Sequence, residues 1–471
     1  VVTAAAKPPR ATPFLFPQLC KGCGRCIAAC PKHCIEEGTE INPASGLVPV
    51  IVHEEDCNGC GLCFDACPEP YGLQPRTRAL ERFDPATADP YAVFGPAAAP
   101  TPAEPVLDRK RPLPLGGPMI LKGTQASALG AVLAGCRHFF GYPITPSTEG
   151  AELMAALLPR LGGVFVQAVS EVATVNMMYG CGGSGMRSMT FTSSPGFSLM
   201  LEGISYMVGA EVPGVFVNVM RGGPGLGNIG PEQADIKLAC RGLGHGNTHA
   251  IVLAPADPQE MLDLTILAFE LAFRYRNPVV LLADGYLGQV TGRVRLPEHL
   301  IEPGVPAWAV TGDAGHRRNL ICSTLLDEAD LEAHNVQLNE KYARMMAREQ
   351  RAEVYCGEDA EWLLVACNTP ARMARGAVAA LRDAGHRVGL YRPLTLWPFP
   401  VATLAPLLAR ARGLVMVEAG PGQLEEELRL ALSLAGLVPP PIHAVRHYGG
   451  VLPQHQEIVD RVAGIVEAAR G

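Results

Sequence analysis

Residues 162–182 read GGVFVQAVSEVATVNMMYGCG. GGVFVQAV is an apolar run of strand length, and SEVATVNMMYGCG reads as the helix that follows it. Ser170 is placed to cap that helix, which sets the carboxylate of Glu171 where a buried strand stops and a helix begins.

The same alternation extends in both directions from about residue 118 to 300. LKGTQASALGAVLAGC and HFFGYP precede it, and RSMTFTSS, GFSLMLEGISYMVGA, GVFVNVM, IVLAPADPQEMLDLTILAFELAFRY and PVVLLAD follow. Strands apolar on both faces, with a helix between each pair, predict an α/β domain built on a parallel sheet covered on both sides. Ligands of such a domain sit beyond the carboxyl ends of the strands. A connector at 301–357 contains the charged helix DEADLEAHNVQLNEKYARMMAREQRAEVY, whose charges read as a solvated face. WLLVAC, TPARMARGAVAALRDAG, HRVGLYRP, VATLAPLLARAR, GLVMVEAG and QLEEELRLALSLAG then predict a second, smaller α/β domain at 358–471.

Three polar features fall at predicted strand ends. GYPITPST (141–148) turns sharply and offers Thr145, Glu171 opens its helix, and MRGGPGLGN (220–228) sets Arg221 before a glycine-rich loop. Singly, each has a plain structural explanation: a first-turn acid, a turn residue, a surface ion pair, an ordinary loop. Their shared location is what joins them into one candidate crevice.

The beginning of the chain differs. CKGCGRCIAACP (20–31) and CNGCGLCFDACP (57–68) both spell C-x2-C-x2-C-x3-C-P. Three thiolates at this spacing wrap one face of a cubane, and the fourth, turned by proline, serves the other cluster. One [4Fe-4S] cluster is therefore expected on Cys20, Cys23, Cys26 and Cys67, and a second on Cys57, Cys60, Cys63 and Cys30. Two zinc sites are the alternative, but zinc needs four ligands with a long gap between pairs and has no use for the third cysteine or the Cys-Pro ending. Residues 1–80 resemble a two-cluster bacterial ferredoxin, an α+β module, and 81–117 reads as a Pro/Ala-rich linker. Cys34 lies outside the spacing and reads as a buried thiol. So do Cys136, Cys181, Cys240, Cys322, Cys356 and Cys367.

The 471 residues carry a net charge of −7 without long blocks of one sign, so neither nucleic acid nor a membrane surface is an expected partner. Of the 15 cysteines, nine lie between Cys20 and Cys67, which argues against a secreted disulfide scaffold. With no apolar leader in VVTAAAKPPRATPFLF, the expected location is the cytoplasm.

GYPITP, the S-E-V-A stretch at Glu171, TSSPGFSLMLEGISY and NVMRGGPGLGN resemble the α subunit of the 2-oxoacid:ferredoxin oxidoreductases, from about residue 117 to the end. The resemblance implies a thiamine-enzyme pyrimidine-binding domain, then a transketolase C-terminal-like domain, with the ferredoxin module fused in front. It implies thiamine diphosphate with Mg²⁺, CoA as co-substrate, and electrons leaving through the clusters to an external ferredoxin. Carried over, Glu171 would hydrogen-bond N1′ of the aminopyrimidine, and Thr145 and Arg221 would hold the substrate's 1-carboxylate or keto oxygen.

The family's G-D-G with a downstream Asn is missing, since Asp284-Gly285 lacks the first glycine. A β subunit carrying the Mg-diphosphate motif is therefore expected, with or without a γ subunit, in a hetero-oligomer such as a dimer of heterodimers. The MRGGPGLGN loop looks closest to members acting on branched-chain 2-oxoacids such as 2-oxoisovalerate, with 2-oxoglutarate next. Two other readings stay open: an electron-transfer and assembly subunit with a non-catalytic body, and a non-oxidative thiamine-dependent decarboxylase subunit.

Overall fold

A computed structural model describes residues 11–43, 45–69, 72–75, 105–114, 116–313, 315–316 and 318–469. The chain divides into two compact units, Val1–Ala99 and Pro100–Gly471. The 81–117 linker lies outside the described residues up to 104. Its last stretch is not linker: Arg109–Pro112 is a strand antiparallel to His299–Glu302. Among the described residues no helix is long and apolar enough to cross a membrane.

In the small unit Pro13–Leu15 pairs antiparallel with Leu73–Pro75, and Ile35–Glu36 with Ile51–Val52. Two short helices, Arg25–Ala29 and Leu62–Ala66, each begin after a glycine in the left-handed region, Gly24 at φ 72° and Gly61 at φ 84°. A side chain at either position would be strained. The core is largely sulfur: Cys26, Cys30, Cys34 and Cys63 are buried with Ile35, Val50 and Leu73. So small an apolar core depends on what its cysteines bind.

Among the described residues the large unit has two large sheets and two two-stranded ribbons, Met119–Lys122 with Thr291–Val294 and Arg109–Pro112 with His299–Glu302. The first runs, in spatial order, Thr395–Trp397, Ile251–Leu253, Pro278–Asp284, Gly214–Met220, Ser188–Thr192, His138–Gly141 and Val164–Gln167. All neighbours are parallel except Thr395–Trp397, which is antiparallel to Ile251–Leu253. Val215, Val217 and Val219 pack under the helices Gly123–Leu133, Thr148–Leu157 and Pro258–Tyr275. Phe216 and Met220 pack on the opposite face, under Glu171–Gly183, Ser194–Gly209 and Ile236–Arg241. The central strands are thus buried on both sides, as apolar runs without alternation require.

The second sheet runs Ala352–Tyr355, Val388–Pro393, Trp362–Val365, Gly413–Ala419 and Ile442–His447. The two domains exchange strands across the boundary at 358. Ala352–Tyr355 joins the second sheet from the connector, and Thr395–Trp397 returns to edge the first. Neither strand is long enough to show a period.

Three further expectations are corrected. Val164–Gln167 is an edge strand with Val164 exposed, so the strand leading to Glu171 is not buried. The connector helix, Glu328–Arg348, keeps Glu328, Asp330, Glu332, Glu340, Arg344 and Arg348 exposed as expected, but Lys341 departs from that face: it is buried beside Leu338, Tyr342 and Met345 and donates through Nζ to Glu211 at 3.1 Å. Of the six outlying cysteines, Cys136, Cys240 and Cys367 are buried, Cys181 and Cys356 are half-buried, and Cys322 is exposed.

Candidate functional site

In the first sheet the neighbouring strands His138–Gly141 and Ser188–Thr192 feed helices on opposite faces, Thr148–Leu157 and Ser194–Gly209. That divergence marks the topological switch point of a doubly wound sheet, the place where such sheets bind ligands. Ser170 Oγ accepts a hydrogen bond from Ala173 N at 3.2 Å, so Glu171 starts its helix as the capping pattern predicts. Glu171 is only 5% exposed. Beside it lies the first turn of Ser194–Gly209: a Cβ added at Gly196 would run into Glu171 Oε1 and Thr192 Oγ1. Glycine is what lets the carboxylate lie against that helix.

The same helix end meets Arg221. Ser194 Oγ accepts from Arg221 N at 3.1 Å. The guanidinium, 7% exposed with its residue, donates through Nη1 to Thr145 O at 2.9 Å and through Nη2 to Leu226 O at 3.2 Å. Its Nε is buried without a partner among the described residues, which leaves a donor over. Glu171, Thr145 and Arg221 are thereby gathered around one helix N-terminus. Thr145 joins through its backbone carbonyl, and the residue is exposed.

Several supporting groups carried no motif. Gln289 Nε2 donates to Pro146 O at 2.9 Å and to Glu149 Oε2 at 2.7 Å, and Lys122 Nζ donates to Glu149 Oε1 at 2.9 Å. Burial pushes Glu149 upward, but the hydrogen bonds from Gln289 and Lys122 outweigh it and hold the group below the usual carboxylate range. Asp235 is pushed up by burial and accepts from Asn218 Nδ2 at 2.9 Å. The 222–230 loop is fixed by Gly223 N to Glu232 Oε2 at 3.0 Å and by Asn228 Nδ2 to Gly449 O at 2.9 Å. Only the paired glycines 449–450 after a strand hint in sequence that the second domain reaches this loop.

Asp284, considered above for its partial G-D-G, is fully buried and pushed up by that burial. It accepts from Leu287 N at 2.9 Å, and from Thr369 N and Oγ1 at 2.8 Å each. Its oxygens fasten the two domains together.

In the small unit the sulfurs line two cavities. One is walled by Cys20, Cys23, Cys26 and Cys67. The other is walled by Cys57, Cys60, Cys63, Cys30 and Cys34. Gly59 N points to Cys57 Sγ at 3.4 Å. Burial pushes the Cys26 thiol up and that of Cys63 to about 11. Among the described residues no three His, Cys, Asp or Glu side chains converge on a point that would hold a single ion.

Three family profiles match. The 4Fe-4S dicluster domain covers residues 19–70. The pyruvate flavodoxin/ferredoxin oxidoreductase thiamine diphosphate-binding domain covers 129–355, and pyruvate:ferredoxin oxidoreductase core domain II covers 360–458. Fold and profiles together define a thiamine diphosphate-binding subunit that carries its own 4Fe-4S dicluster domain. A ketoisovalerate oxidoreductase subunit VorB from Methanothermobacter thermautotrophicus is 45% identical over 345 residues, 73% of this chain and 96% of that protein. The 2-oxoglutarate synthase subunit KorA of the same organism is 34% identical over 371 residues, 73% of this chain and 97% of that one. A solved 2-oxoglutarate:ferredoxin oxidoreductase from Magnetococcus marinus, with 2-oxoglutarate, coenzyme A and succinyl-CoA bound, superposes with TM-score 0.66 at 29% identity. That match covers 74% of this chain and 65% of the other. The chain belongs to the 2-oxoacid:ferredoxin oxidoreductase family.

Proposed function

We propose that the chain provides the pyrimidine side of a thiamine diphosphate site and oxidises a branched-chain 2-oxoacid: R–CO–COO⁻ + CoA–SH → R–CO–S–CoA + CO2 + H⁺ + 2 e⁻. The observation that carries this reading is the gathering of Glu171, Arg221 and the Thr145 carbonyl at the N-terminus of Ser194–Gly209. Glu171, sheltered from water, shares a proton with ring nitrogen N1′. Arg221 offers its unpaired Nε–H to the substrate carboxylate as a charge-assisted donor, and Thr145 lines the same pocket. Thiamine diphosphate, when bound, supplies the electron sink that decarboxylation needs.

Asp284 is fully engaged with Leu287 and Thr369, which fits the assignment of Mg²⁺ and the diphosphate to a β subunit. Large apolar side chains exposed around the crevice, Tyr142, Val169, Val172 and Leu199, suit a protein cover of that kind. The assembly is a hetero-oligomer such as a dimer of heterodimers, with or without a γ subunit. The two cavities hold [4Fe-4S] clusters, on Cys20, Cys23, Cys26 and Cys67 and on Cys57, Cys60, Cys63 and Cys30. Each wall gathers the four sulfurs that one cubane needs, and among the described residues they do not converge on one ion. Single electrons pass along them to an external ferredoxin, in a reducing cytoplasm where thiolate ligands persist.

The branched-chain substrate is favoured by 45% identity to the ketoisovalerate relative against 34% to the 2-oxoglutarate one. The test is viologen reduction by the chain purified with its partner, supplied with CoA, thiamine diphosphate and one 2-oxoacid at a time. The expected result is at least about tenfold higher kcat/KM with 2-oxoisovalerate than with 2-oxoglutarate, the scale of one good side-chain discrimination. The reverse order overturns the substrate, and aldehyde released without CoA overturns the oxidative reaction.

A further inference from the structure

The two cysteine phrases agree at every proposed ligand and differ four residues beyond the last one. Cys34 stands there in the first copy and Tyr71 in the second. Cys34 is 3% exposed and forms part of the wall of the cavity lined by Cys57, Cys60, Cys63 and Cys30. Its Sγ lies 3.4 Å from Cys30 Sγ. Its backbone is fixed. The strand Ile35–Glu36 follows directly, paired with Ile51–Val52, and His53 N donates to Cys34 O at 2.8 Å. The other cavity has no cysteine in its wall beyond its four.

We propose that Cys34 is a thiol hydrogen-bond donor to Cys30 Sγ that sets the two clusters at different reduction potentials. This rests on the cluster reading of the cavities. Four terminal thiolates complete a cubane, so a fifth sulfur at the wall has no iron left to ligate, and its S–H is free to point at a ligand sulfur. Reduction adds one electron, and part of its charge falls on the thiolate sulfurs. A donor aimed at one of them stabilises the reduced state more than the oxidised, which raises the potential. Cys34 keeps its proton throughout, and no bond forms or breaks. Among the described residues only one cavity carries such a thiol donor, so the cluster of Cys57, Cys60, Cys63 and Cys30 becomes the one on which an electron rests.

The experiment is an EPR-monitored redox titration of the full chain and of its Cys34→Ala and Cys34→Ser variants, with iron and zinc measured on each sample. In Cys34→Ala one of two midpoints is expected to move to lower potential while the other stays. Cys34→Ser, which keeps an O–H donor, should recover most of the shift. Two unmoved midpoints, or two that move together, would overturn the role. So would the loss of half the iron from both variants, which would make Cys34 a ligand. Unmutated chain with zinc and no cluster signal would overturn the cluster reading itself, and this inference with it.

Discussion

The guanidinium of Arg221 donates to the backbone carbonyl of Thr145 across 2.9 Å, joining the loops that leave strands Gly214–Met220 and His138–Gly141. The same group reaches Leu226 O and still has an unpaired Nε. A lysine carries its three donors on one nitrogen and cannot spread them over the three positions that Nη1, Nη2 and Nε occupy. Arg221→Lys should therefore keep the fold and lower kcat/KM for the 2-oxoacid about 10- to 100-fold, as expected for one charge-assisted hydrogen bond of about 1.5–3 kcal/mol. Steady-state dye reduction at varied 2-oxoacid measures it. An unchanged kcat/KM would remove Arg221 from the site.

Gly196 gives a test of Glu171 that leaves the carboxylate in the chain. Alanine is the better helix former by about 1 kcal/mol, so Gly196→Ala has no helical reason to destabilise the protein. Its Cβ nevertheless meets Glu171 Oε1 and Thr192 Oγ1, and the carboxylate must shift. If Glu171 shares a proton with the coenzyme ring, Glu171→Gln should cost about 10²–10⁴-fold in kcat, and Gly196→Ala, still folded though destabilised by about 1–3 kcal/mol of overpacking, should fall in the same direction. Wild-type rates in both variants would favour a body that docks a ferredoxin head without chemistry of its own.

The helix at Glu171 was legible in sequence because a cap and an apolar period coincide there, and the parallel sheet because its central strands carry no alternation. What stayed hidden was non-local. Thr395–Trp397 is three residues long and pairs with Ile251–Leu253, more than a hundred positions away, so no window contains both. Gln289, Glu149 and Lys122 support the Thr145–Pro146 turn through contacts that ordinary surface-type residues make only once folded. The exposure of Val164 is a question of sheet order, which an apolar run does not encode.

The sulfur cavities make a pairing test possible. Cys67 closes the second phrase yet lies with Cys20, Cys23 and Cys26. Cys67→Ala should therefore lose about half the iron and leave the same EPR signal as Cys20→Ala, whereas Cys30→Ala should leave the other one. A Cys67→Ala spectrum matching that of Cys57→Ala would mean that each phrase folds around its own cluster. Reconstitution should also be fuller at higher pH. Burial holds the Cys26 and Cys63 thiols above the usual range, and ligation must displace their protons.

Glu418 ends the strand Gly413–Ala419, fully buried, accepting from Leu424 N at 2.9 Å with Arg446 Nη2 at 3.4 Å. Burial raises it from the usual 4.5 to about 7, despite the neighbouring arginine. A carboxyl that binds its proton more tightly when folded contributes stability that is fully present below the unfolded value. That contribution fades as pH rises through the folded value. Glu418→Gln stays neutral throughout and keeps an acceptor for Leu424 N, while Arg446 keeps Glu425 as an ionic partner. Relative to wild type, the variant should gain about 1–3 kcal/mol between pH 5 and pH 8. Thermal unfolding at both values measures the gain. Equal differences at the two pH values would mean that Arg446 keeps Glu418 ionised throughout.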